Sequence, residues 1–197
     1  MDRPALGPEQ CRALLACARA AIASATGRRP PSFLADALDA TVGLDRPGRA
    51  FVTLIENGRL RGCMGSLDPD RSVLDAVVSA AIHAALEDPR FEPVSEDELA
   101  AIHVAVSVLG PDRPLASPDA FRPGVDGVIV ERGWHVALLL PEVATEFGWD
   151  ARDMLGAVCR KAGLPSGAWA EPGTRVLVFE TVRFDGAALD DAVLATR

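Results

Sequence analysis

The order of apolar and polar positions along the chain predicts stretches of helix interleaved with β-hairpins. From Glu9 to about Ala25, Cys11, Leu14, Leu15, Ala18 and Ile22 recur at the spacing of one helix face, and Gly27 supplies a stop. Arg28-Arg29-Pro30-Pro31 breaks the pattern, and Ser32 to Ala40 reads as a short second helix before a loop from Gly43 to Arg49. Phe51 to Glu56 is β-branched and aromatic, hence a strand, and Asn57-Gly58 is a hairpin turn because both residues tolerate positive φ. In the return strand, period-two alternation puts Leu60 and Met64 on one face and Arg61 and Cys63 on the other.

Ser72 and Asp75 then have capping-box spacing ahead of a helix whose apolar stripe is Val73, Leu74, Val77, Val78, Ala81, Ile82 and Ala85. Asp88 to Pro93 is turn-rich, and Ser95 and Glu98 form a second capping box. Ile102, Val104, Val106 and Val108 alternate with His103, Ala105 and Ser107 as a strand. Four prolines and no periodicity mark Gly110 to Asp126 as a passage to a second lobe. Gly127 to Glu131 and Trp134 to Leu140 form another hairpin about Arg132-Gly133. Pro141 opens a short helix ending near Gly148, and Asp150 caps one carrying Met154, Leu155, Val158, Cys159 and Ala162. A final strand, Arg175 to Phe184, precedes a weakly patterned tail. Hairpins separated by helices, without regular strand-helix alternation, predict an α+β fold with a mostly antiparallel sheet flanked by helices.

The 197 residues, 49% of them apolar, are enough for one domain of two lobes. The larger is expected over about 1–110 plus 175–197 and the smaller over about 111–174. A formal charge of −8 and the lack of any Lys/Arg run argue against nucleic acid or an anionic membrane as the main partner. With no apolar signal core and no 18-residue apolar run, the expected location is cytoplasmic. Cys11, Cys17, Cys63 and Cys159 lack Cys-x-x-Cys spacing and read as free thiols. No His-x-x-x-His, calcium-loop or phosphate-loop pattern is present, so neither a metal nor a cofactor is expected.

The segment with the strongest chemical character is Leu60-Arg61-Gly62-Cys63-Met64-Gly65-Ser66, which sets a thiol between two glycines and beside an arginine. Glycine within a strand marks a bulge, a bend or the close approach of another group. A neighbouring cation and the helix N-terminus that follows would favour a Cys63 thiolate if the fold brought them together, whereas a buried cysteine would be a small apolar filler. A cysteine nucleophile also needs a base. His83 pairs with Glu87 at i,i+4 spacing, while His103 and His135 lie on strands outside any motif, so all three read as structural. Arg90 and Phe91 follow a helix through a proline turn. Glu142 either serves as an acid/base group or complements a helix N-terminus.

The same heptapeptide resembles the Leu-Arg-Gly-Cys-Ile-Gly-Thr signature of the AMMECR domain family, with Met64 and Ser66 in place of Ile and Thr. Ala84-Ala85-Leu86-Glu87-Asp88-Pro89-Arg90-Phe91, Val106-Ser107-Val108-Leu109, Leu139-Leu140-Pro141-Glu142-Val143-Ala144 and Lys161-Ala162-Gly163-Leu164 resemble further family blocks in the same order. The resemblance is strong from about Phe51 to Trp169. It implies two unequal α+β lobes with the Arg-Gly-Cys segment near the cleft between them. Prokaryotic members of the family resemble the A component of the AmmeMemoRadiSam system, which implies a Memo-like protein and a radical S-adenosylmethionine protein as partners. It implies no reaction. Two function classes therefore stand: a cleft that binds a small molecule or partner, and an enzyme with Cys63 as nucleophile or carrier thiol. In either, the site comprises Arg61, Gly62, Cys63, Gly65, Ser66, Arg90, Phe91 and Glu142.

Overall fold

Helix α1 spans Pro8–Ala25 in the computed structural model, which describes residues 5–27, 43–68 and 70–186. Its predicted apolar face, including Leu14 and Ile22, is buried. The short helix expected over Ser32 to Ala40 lies outside the described residues, as does the tail beyond Gly186. The described residues form two units, Leu109–Thr181 and the described parts of Ala5–Val108 together with residues 182–186.

The second of these units is built on the hairpin β1 (Arg49–Glu56) and β2 (Arg59–Gly65). Asn57 and Gly58, at φ 50° and 75°, make the turn, the conformation that favoured these residue types. Helix α2 (Val73–Leu86) follows, capped by Ser72, whose hydroxyl accepts the Asp75 N–H at 3.0 Å. A 3₁₀ turn (Glu96–Ala100) leads into β3 (Ile102–Leu109). Together with β8 (Thr181–Asp185) these strands make a four-stranded sheet in the order β2-β1-β3-β8, with β2 on an edge. Val52, Leu54, Val104 and Val106 of the sheet pack with Leu14, Ile22, Val73 and Val77 of the helices in one core.

Two local expectations change here. The buried stripe of α2 is Val73, Ala76, Val77, Ala80, Ala81, Ala84 and Ala85, while Leu74, Val78 and Ile82 are half-buried. The alanine face turns inward because small side chains let the helix approach the sheet closely. A Cβ on Gly62 would lie far inside van der Waals contact with the Ala84 carbonyl oxygen. In the hairpin, the register shifts between Leu54 and Ile55: Gly62 pairs with Leu54 and Leu60 with Ile55, leaving Arg61 as an extra residue. The bulge breaks the alternation, so Leu60 and Cys63 oppose Ile55 and Thr53 on one face, and Met64 lies with Gly62 on the other.

The Leu109–Thr181 unit carries a second four-stranded sheet, in the order β4-β7-β5-β6. Its strands are β4 (Arg113–Pro114), β5 (Gly127–Arg132), β6 (His135–Leu139) and β7 (Arg175–Phe179). Helices α3 (Pro141–Phe147) and α4 (Ala151–Lys161) follow β6, with Gly148 at φ 64° closing α3 and Asp150 capping α4 as expected. The segment from Gly110 to Asp126 is ordered by β4 and by Asp126, whose fully buried carboxylate accepts bonds from Arg113 at 2.8 Å and Arg122 at 2.6 Å. The β5–β6 turn is Gly133-Trp134 rather than Arg132-Gly133, since Arg132 and His135 still pair.

The expected single strand Arg175 to Phe184 is two strands, one in each sheet. Glu180 interrupts them: its carbonyl accepts the Gly110 N–H at 2.8 Å and its carboxylate accepts from Arg122 at 2.7 Å. The expected C-terminal boundary near 175 accordingly falls between Thr181 and Val182. Two antiparallel four-stranded sheets flanked by helices make an α+β fold. Among the described residues no helix is long and apolar enough to cross a membrane.

Candidate functional site

Cys63 sits in edge strand β2 opposite Thr53 of β1. Its thiol is half-buried and accepts a hydrogen bond from the Thr53 hydroxyl at 3.4 Å. Cys11, Cys17 and Cys159 are buried, and burial raises the pKa of all three thiols.

The backbone of Cys63 is held from outside the sheet. Its N–H donates to Asp88 Oδ2 at 2.8 Å, and its carbonyl accepts from Arg90 Nη2 at 3.3 Å. Both groups point away from β1, as at a non-hydrogen-bonded pair of an antiparallel ladder. The same Asp88 carboxylate accepts from the backbone N–H of Arg90 at 3.1 Å and from its guanidinium at 2.9 and 2.7 Å. The Arg90 guanidinium, with the Cys63 N–H, holds the Asp88 carboxyl down at about 2 against the opposing effect of burial.

The bulge aims Arg61 out of the β2 edge toward the chain that follows α2. Its Nε donates to Glu98 at 2.7 Å and its Nη1 to the Glu92 carbonyl at 2.9 Å. Hydrogen bonding by Arg61 brings the Glu98 carboxyl down to about 2, assisted by the Ser95 N–H that completes the predicted capping box. The ring of Phe91 lies beside both guanidiniums, 5.5 Å from that of Arg90 and 6.0 Å from that of Arg61. Both arginines are thus matched to carboxylates of this chain.

Gly62 and Gly65 have their α carbons covered by this chain's own atoms, the Ala84 carbonyl in the first case and the Phe51 ring with the Ala50 carbonyl in the second. Ser66 turns the chain out of β2, its hydroxyl accepting the Asp68 N–H at 3.1 Å. Glu142 lies in the first turn of α3, in the other unit. His83 pairs with Glu87 at 3.8 Å, His135 Nδ1 lies 2.8 Å from the Ala162 carbonyl, and His103 is exposed on β3. Among the described residues no group of three or more His, Cys, Asp or Glu side chains is placed to hold a metal ion.

Three participants escaped the sequence reading: Thr53, Asp88 and Glu98. Asp88 carried a partial signal, because an aspartate two residues before Arg90 can fold back on that residue's N–H in an Asx turn. Its bond to Cys63, 25 residues away, carried none.

The profile of the AMMECR1 family matches residues 15–184. A protein of Methanothermobacter thermautotrophicus is 51% identical over 140 residues, which cover 68% of this chain and 73% of the relative. One of Thermococcus gammatolerans is 47% identical over 131 residues, 64% of each chain. The crystal structure of the uncharacterised protein PH0010 from Pyrococcus horikoshii superposes with a TM-score of 0.81 at 36% identity, covering 90% of this chain and 91% of that one. Motif, fold and relatives agree, and the chain belongs to the AMMECR1 family.

Proposed function

We propose that the outer face of the β1–β2 hairpin around Cys63 is a binding surface for a neutral small molecule or a segment of a partner protein. The observation that carries this reading is the company of the thiol. The side chain bonded to it is Thr53, whose hydroxyl donates to the sulfur and is too weakly basic to act as the general base a cysteine nucleophile requires. The three histidines have other partners or other places. The charge balance supports an uncharged ligand, since Arg61 and Arg90 are matched by Glu98 and Asp88. Phe51, Ile55 and Leu60 supply apolar surface on the face that Thr53 and Cys63 share. A Memo-like protein and a radical S-adenosylmethionine protein are the partners we infer from the family resemblance.

Calorimetric titration of the full chain with each of those two proteins tests the reading. Cys63→Ser should bind as the unaltered protein does, whereas Thr53→Arg, which places a bulky charge on the same face, should weaken binding by about tenfold or more. Unchanged binding by Thr53→Arg would remove the proposal.

A second reading, Cys63 as a carrier thiol, draws on its being the cysteine of the four that is not buried. Loss of a transfer activity in Cys63→Ser, with binding and folding intact, would favour it.

A further inference from the structure

The segment from Asp88 to Glu98 does to β2 what a further strand would do. An edge strand presents unpaired N–H and C=O groups, and an unprotected edge recruits another strand. At Cys63 the outward N–H is taken by Asp88 and the outward carbonyl by Arg90, one acceptor and one donor, as a paired strand would offer. At the bulge, Arg61 reaches outward to the Glu92 carbonyl and to Glu98. The segment is itself anchored to α2, where Val94 N–H donates to the Ala85 carbonyl at 2.8 Å. The bulge adds a second edge-protecting device, because it bends and twists the strand.

We propose that this segment is an edge guard: Asp88, Arg90, Glu92 and Glu98 close β2 against strand addition and so prevent a second copy of the chain from pairing through that edge. The guard is independent of what the Cys63 face binds. It restricts any protein partner to side-chain contact across the hairpin face.

The test compares the full-length chain with the variant Asp88→Ala/Glu98→Ala, and uses Ser72→Ala, which removes a helix cap elsewhere in the same unit, as a control for lost stability. Amide hydrogen exchange followed by mass spectrometry reads β2, and light scattering at increasing concentration reads association. The double variant should exchange the Cys63 amide about tenfold faster or more and form dimers as concentration rises, while the control does neither. A folded double variant that keeps slow exchange and stays at its starting mass would overturn the proposal, and so would equal association by the Ser72→Ala control. If the double variant does not fold, the single variant Asp88→Ala takes its place. It leaves the Cys63 N–H without its acceptor, and unchanged Cys63 exchange there would equally overturn the proposal. Neither readout involves the Memo-like or radical proteins, so failure here is distinct from failure of the binding reading.

Discussion

Asp88 and Cys63 are 25 residues apart in the chain, yet the carboxylate of one accepts the backbone N–H of the other at 2.8 Å. The bond ties the segment after α2 to the strand before it. It also explains why a residue with a charged side chain only 2% exposed is tolerated: Arg90 and two backbone N–H groups supply its partners.

Asp88→Ala should lower stability by about 2 kcal/mol, since it leaves the Cys63 N–H without its partner. Arg90 limits the loss, because its half-exposed side chain can turn to water. Urea unfolding checks the value, and a change below about 0.5 kcal/mol would mean that water replaces the carboxylate without cost.

Acid should weaken the same unit. The carboxyls of Asp88 and Glu98 are both held at about 2, below ordinary values of 3.8 and 4.5. A depressed carboxyl contributes stability that is fully present above its unfolded-state pKa and is lost as pH falls through the folded-state value. Stability should therefore decline between about pH 4.5 and pH 2. Asp88→Asn/Glu98→Gln should be less stable at pH 7 and show a flatter decline in melting temperature over that range. A parallel decline in both proteins would assign the acid sensitivity to other carboxylates.

Gly62→Ala should cost about 2 kcal/mol or more, because the added methyl meets the Ala84 carbonyl of α2, a backbone atom that cannot move without the helix. Gly167→Ala is the matched control: nothing lies within 4 Å of its would-be Cβ and its φ is −89°. That substitution should be neutral or slightly stabilising. Similar losses for the two in thermal unfolding would refute close packing as the reason for glycine at position 62.

Iodoacetamide should modify Cys63 first in the native protein. Cys11, Cys17 and Cys159 are buried with raised pKa values, which limits both access and thiolate. Intact mass with peptide mapping should find a single adduct on Cys63 before any other, with all four labelled after unfolding. Early labelling of Cys159 would show that α4 opens on the labelling timescale.

In the other unit, Asp126→Ala should destabilise by about 3 kcal/mol, because it removes a fully buried carboxylate that binds both Arg113 and Arg122. Guanidinium unfolding of this variant should show the loss, and an Arg113→Ala background should reduce it, since the two share one network. Full additivity would mean that Arg113 and Asp126 are not coupled.

Local chemistry was legible along the chain. Asn57-Gly58, the Ser72 and Asp150 caps, the Ser95–Glu98 box and the apolar face of α1 all lie within a few residues of the elements they specify. Such signals need no distant partner, so the α+β class, the family motif and the position of Cys63 in a strand follow from sequence. The bulge at Arg61, the inward alanine face of α2 and the division of the last strand at Glu180 depend on what packs opposite: Glu98 and the Glu92 carbonyl, the bare α carbon of Gly62, and Arg122 with Gly110. The site divides in the same way. Sequence identified the thiol and its flanking glycines and arginines, but the carboxylate that neutralises Arg61 comes from 37 residues away, and the groups that hold the Cys63 backbone come from 25 and 27 residues away. Only the folded chain sets those distances, because hydrogen bonds and ion pairs act over a few ångströms and leave no period in the sequence.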